Sequence, residues 1–167
     1  MATPGKALTM HATTINLPED KRVRLVDHLN LVLAHLSDLK LAVKHAHWNV
    51  KGMHFIALHE LFDTLAGELD GLSDTTAERA TTLGGTALGT LQAIHTGSTL
   101  EPYPPDATAG EAHLKALVSR YAQVGKLVRQ AIDEAEELED KDTADLFTEV
   151  SRALDMRLWF LEAHLQA

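Results

Sequence analysis

Between Leu25 and Ala46, seven apolar residues recur at steps of 4, 3, 4, 3, 4 and 3: Leu25, Leu29, Val32, Leu36, Leu39, Val43 and Ala46. A strand alternates every two residues, so this period belongs to a helix with one apolar stripe, about seven turns long. Pro18, Glu19 and Asp20 mark its start, with proline in the first turn and acids at the positive helix end. A helix of this length is stabilised mainly by burying its stripe against other helices. Leu31, Leu33 and Leu41 lie off the stripe. Either the buried face is wide, or a second apolar surface is covered by another subunit.

Three more stripes follow the same rule. Leu58, Phe62, Leu65, Leu69, Leu72 and Thr76 form one, ending at Gly84-Gly85, where a left-handed cap is expected. Leu114, Leu117, Tyr121, Val124, Val128, Ala131, Ala135 and Leu138 form the next, over about residues 109–138. Phe147, Val150, Leu154, Leu158, Leu161 and Leu165 form the last, with Asp142 as its expected cap. Asn49, Lys51 and Gly52 make a short link between the first two helices, which are therefore antiparallel neighbours.

The connection over residues 84–108 is rich in Gly, Thr and Pro, with a short helix expected around Thr90–His95. Its length suits a crossover that runs the length of a bundle, as in ferritin-like folds. The expected fold is an all-α, ferritin-like four-helix bundle with a short helix in the long crossover between helices two and three. Residues 1–17 are expected to be a flexible N-terminal tail and 18–167 a single bundle domain.

The chain has no cysteine, which excludes disulfide scaffolds and thiolate metal sites. No apolar run approaches the roughly 18–20 residues that span a bilayer, and the N-terminus lacks a secretory signal's apolar core. The expectation is a cytoplasmic protein with no membrane partner. A net charge of −9 argues against a broad basic surface for nucleic acid and favours attraction of cations.

The chemistry gathers on the second helix. His59 and Asp63 are one turn apart, and so are Asp74 and Glu78. Eleven residues separate Asp63 from Asp74, about three turns, so both pairs share a face but lie roughly 16 Å apart along the axis. Bonds to a metal are only about 2–2.6 Å, so no single ion touches both pairs. A second copy of the helix, antiparallel about a twofold axis, removes the conflict. When residue 63 falls opposite 74, residue 59 falls opposite 78, and two equivalent sites result. Gly67 and Gly71 lie near that axis, where close helix approach explains residues that each cost about 1 kcal/mol in a helix. His47, at the end of the first helix, completes a set of two imidazoles and three carboxylates. That mixture suits iron(II), manganese or zinc better than calcium or magnesium, and two neighbouring ions can share the carboxylates. The sequence HELFD begins like a zinc-protease helix, but Asp63 stands where the second histidine belongs. No E-x-x-H occurs, which removes the usual di-iron site inside a bundle.

HWNVKG, the ALHELFD run, AERA and LGG, together with residues 140–165, closely resemble the Dps proteins, the miniferritins that protect DNA during starvation. The resemblance covers about residues 25–165. It implies a hollow dodecamer built from twofold dimers. It also implies ferroxidase sites with His47, His59 and Asp63 from one subunit and Asp74 and Glu78 from its neighbour. Fe(II) and hydrogen peroxide are the implied substrates, with Fe(III) stored as mineral. Trp48 matches a tryptophan that donates an electron or quenches a radical; ordinary packing at the helix end is the alternative. Asp140, Asp145 and Glu149, with Asp142 nearby, are the implied lining of an iron-entry pore; Asp142 and Asp145 alternatively stabilise a helix start. Lys6, Lys21, Arg22 and Arg24 are the cations available for DNA, which would place the protein at the nucleoid. The competing readings are a DNA-compacting protein in which metal oxidation is secondary, and a purely structural helical oligomer.

Overall fold

The computed structural model describes residues 9–166. Five helices follow one another: α1 (Glu19–Asn49), α2 (Phe55–Thr82), α3 (Leu91–Gly97), α4 (Gly110–Glu137) and α5 (Lys141–Ala163). α1 packs along α2 and α4 along α5, and the two pairs join through α1 with α4 and α2 with α5. This is the expected four-helix bundle, with α3 in the long crossover laid against α1. The short helix starts and ends slightly later than expected, because the Thr90 hydroxyl caps it from outside by accepting the Ala93 N–H.

All seven residues of the first stripe are fully buried. Leu33 is buried too, while Leu31 and Leu41 stay exposed, so the first helix has a wide inner face and also an uncovered outer one. On α2 the expected Leu72 is only half-buried. Ser73 takes a buried position beside it, its hydroxyl satisfied by the Leu69 carbonyl. The stripe of α4 is buried throughout, from Leu114 to Leu138.

The helix ends follow from backbone geometry. Gly84 has φ of 88°, and the Gly84 and Gly85 amides donate to Thr81 and Ala80, closing α2 as expected. The end of α4 uses the same pattern without glycine. Glu139 takes φ of 61°, and the Glu139 and Asp140 amides donate to Glu136 and Ala135. Its carboxylate, held below the ordinary range by a hydrogen bond from Lys21 and by that ammonium's charge, ties this turn to the start of α1.

Asp140, not Asp142, caps α5. Its carboxylate accepts from Thr143 and from Arg79 of α2, at 2.8 and 2.9 Å from Arg79 Nη2, and is buried. Burial alone would raise its pKa; the Thr143 and Arg79 bonds together outweigh it and hold the group below the ordinary carboxylate value. The stability this contributes is present above the unfolded-state pKa and is lost as pH falls through the lowered folded one. Asp140→Ala should cost about 3 kcal/mol, because it removes a helix cap and strands Arg79, and denaturant titration at neutral pH measures it.

Of the expected tail, residues 9–17 are described. The His11 amide donates to the Gly84 carbonyl at 2.7 Å, and Met10 and Leu17 pack on the core, so this segment is docked. A side chain on Gly84 would meet the His11 carbonyl, so the docking also requires glycine there.

Candidate metal centre

The end of α1 and the start of α2 are locked together by two histidines. His47 Nδ1 lies 2.8 Å from the His59 carbonyl, and His59 Nδ1 lies 2.9 Å from the His47 carbonyl. A carbonyl only accepts, so both rings carry their proton on Nδ1 and donate it. That leaves Nε2 of each ring as the atom able to bind a metal. The rings stack with centroids 3.7 Å apart. Phe55 flanks the His59 ring at 5.1 Å.

Asp63 joins this pair, with Oδ1 3.9 Å from His47 Nε2. Lys44, a residue sequence reasoning missed, reaches the same oxygen at 2.8 Å. That hydrogen bond and the ammonium charge hold Asp63 below the usual carboxylate range. The Asp63 carboxylate thus faces the His47 ring while the Lys44 ammonium occupies the same oxygen. Lys44→Ala should raise the Asp63 pKa toward the ordinary carboxylate value, read from the side-chain carboxyl shift in an NMR titration. Lys44 was legible as the residue one turn before Trp48 on α1, but only the packing of α1 on α2 brings it to Asp63.

Asp74 and Glu78 are exposed on the same helix, toward its other end. Among the described residues, no three His, Asp or Glu side chains of one subunit come together to hold a metal. That holds for His47, His59 and Asp63 as well: they lie near one another where α1 meets α2 but are not gathered as a three-ligand group, and Asp74 with Glu78 lie toward the other end of α2. Gly67 and Gly71 between them are exposed, and a Cβ on either would meet nothing within 4 Å. Nothing in the subunit itself requires glycine at these two positions.

Other expected residues fare differently. The Trp48 ring is 68% exposed, with Lys44 Nζ 5.5 Å from its centroid, so it is not packed within the subunit. Asp142, Asp145 and Glu149 are exposed on α5, whereas Asp140 is spent on Arg79 and Thr143. Arg22 is buried, donating to the Leu17 and Leu83 carbonyls, and is not available to a phosphate. Lys21 is paired with Glu139, Arg24 is exposed, and Lys6 lies outside the described residues.

The chain is similar to known proteins over nearly its whole length. Residues 26–167 match the family described as ferritin-like domain. The DNA protection during starvation protein of Agrobacterium fabrum is 49% identical over 156 residues, covering 93% of this chain and 96% of that protein. The protein so described from Mycolicibacterium smegmatis is 36% identical over 155 residues, covering 93% and 84%. Among solved structures, DpsA14 from Streptomyces coelicolor superposes with a TM-score of 0.91 at 37% identity, covering 97% of this chain and 96% of that one.

Proposed function

The chain belongs to the DNA-protection-during-starvation (Dps) proteins within the ferritin-like family, and from that premise we propose that it oxidises Fe(II) at sites shared between two subunits and stores the Fe(III). The observation that carries this reading is the reciprocal lock of His47 and His59. It leaves Nε2 of each ring uncommitted near the Asp63 carboxylate, and these are the donors this reading gives to a cation. Asp74 and Glu78 of a second subunit complete the donor set. Two ions fit between three carboxylates and two imidazoles, with manganese or zinc as substitutes. Hydrogen peroxide is the oxidant: it takes one electron from each of two ions, so two neighbouring Fe(II) suit its reduction to water. In this reading the exposed Trp48, next in sequence to His47, supplies an electron. The consequence in the cell is protection of DNA from iron and peroxide together.

The exposed surface supports the shared site. Trp48, Met53, Phe55 and Ile56 are exposed around the turn from α1 to α2, and Leu88 and Leu91 in the crossover beyond the end of α2. An antiparallel twofold brings the first group of one subunit onto the second group of the other, twice, around a centre opened by Gly67 and Gly71. Such dimers build the hollow dodecamer, into which Asp145 and Glu149, with Asp142, guide cations. Gly71→Leu tests the centre. The subunit should keep its helical content, gaining up to about 1 kcal/mol of helix propensity, while the assembly falls apart. Circular dichroism and light scattering read the two halves separately.

DNA compaction as the primary role draws little from the cations, since Arg22 is buried and Lys21 is paired. The deciding experiment is stopped-flow oxidation of Fe(II) by peroxide and by oxygen on the assembled protein. Rapid oxidation with peroxide supports the proposal; oxidation no faster than in buffer refutes it.

A further inference from the structure

The crossover lies against the bundle, and two histidines outside the metal centre fasten it there. His35 of α1 is 2% exposed. Its Nδ1 is 2.8 Å from the Leu31 carbonyl and so carries a proton. Its Nε2 accepts from the Thr99 backbone N–H at 3.2 Å and meets the Thr99 hydroxyl at 3.0 Å. His113 of α4 is fully buried, with Nδ1 2.8 Å from the Tyr103 hydroxyl. Its Nε2 is buried and has no hydrogen-bond partner among the described residues. Thr99 and Tyr103 both belong to the crossover, so a ring on each neighbouring helix grips it.

We propose that the crossover is an acid-released strap: His35 and His113 hold residues 98–108 only as neutral rings, and protonation frees this segment while the four long helices stay folded. At His35 the added proton must go on Nε2, which then donates to the Thr99 hydroxyl and no longer accepts from the Thr99 N–H, leaving that amide without its acceptor. At His113 the added proton creates a buried cation with no carboxylate set against it among the described residues, the Ala107 carbonyl offsetting the cost only in part. The surroundings do not supply an anion to offset it. Facing His113 are the His45 ring from α1 at 6.5 Å, Phe62 from α2 and Tyr103 from the crossover. Arg120 adds a cation, lying over the Tyr103 ring at 4.7 Å and bonded to the Glu101 carbonyl. Near His35, the Asp38 carboxylate is already engaged by the Ser98 hydroxyl. Glu101 and His95 border the groove beside Asp38. Burial, and the charge of His45, hold the His113 pKa below its ordinary value, with the Ala107 carbonyl opposing in part. The linkage sign agrees: a depressed histidine contributes stability present above its unfolded-state pKa and lost as pH falls through the folded one.

The test is hydrogen–deuterium exchange on the assembled protein at pH 7.5 and 5.5, with rates corrected for intrinsic exchange. Peptides covering 98–108 should lose at least about tenfold in protection at the lower pH, while α1 and α4 keep theirs. In His35→Asn/His113→Gln, which cannot titrate at either position, the loss should vanish. Equal crossover protection at both pH values overturns the proposal, as does parallel loss across all helices. An undiminished acid response in the double variant also overturns it. If that variant does not assemble, His35→Asn alone decides at the Thr99 amide, whose acid sensitivity must disappear.

Discussion

Replacing His59 and Asp63 together with alanine should slow peroxide-driven oxidation of Fe(II) at least about a hundredfold. Loss of groups that merely orient metal ligands costs about 10–100-fold, and here two ligands go, so the effect must exceed that range. The loss is also more than local to those two side chains. Without the His59 ring, nothing stacks on His47, and the His47 carbonyl loses its donor. The remaining imidazole is then free to turn its lone pair away. Neither residue is part of the buried core, so helical content and the mass of the assembly should be unchanged. Stopped-flow absorbance and light scattering on the same sample make the comparison. Oxidation within twofold of the parent rate would sink the site assignment, whatever the oligomer does.

How much of this was legible before the structure depends on how local each signal is. The stripe from Leu25 to Ala46 needs only helix period and burial, and every one of its residues is buried. The Gly84 cap was equally local, because a positive φ favours glycine. The matching cap at Glu139 was not, since a glutamate in that conformation leaves no trace in composition. Asp142 was expected to cap α5 because it stands near the helix start. Asp140 does so because Arg79, 61 residues away, reaches it across the bundle. Arg22 read as a surface cation for the same reason in reverse: its partners are carbonyls at Leu17 and Leu83, which no local pattern announces. In the candidate site, the spacing of His59, Asp63, Asp74 and Glu78 was readable as a periodicity. The reciprocal donation from each Nδ1 to the other histidine's carbonyl was not, because it depends on the turn at Gly52 folding α2 back onto α1. Lys44, His35 and His113 were passed over as ordinary helix residues, and only tertiary packing gives them partners.

Mixing two inactive variants should restore activity, and this is the sharper test of where the site lies. Let one variant carry His59→Ala/Asp63→Ala and the other Asp74→Asn/Glu78→Gln. Each alone forms only broken sites, because every site in a twofold dimer takes one half from each chain. In a mixed dimer, one site receives both damaged halves. The other receives the intact His47, His59 and Asp63 of the second variant and the intact Asp74 and Glu78 of the first. Random assembly from equal amounts makes half the dimers mixed, each with one good site of two, so about a quarter of the parent's oxidation rate returns. A site contained within one subunit predicts no recovery, since both chains are damaged in every copy. The restored rate should also follow composition, peaking at equal proportions and falling symmetrically on either side. A monomeric or merely adjacent arrangement has no means of producing that curve, because only an exchange of half-sites makes two dead chains active together.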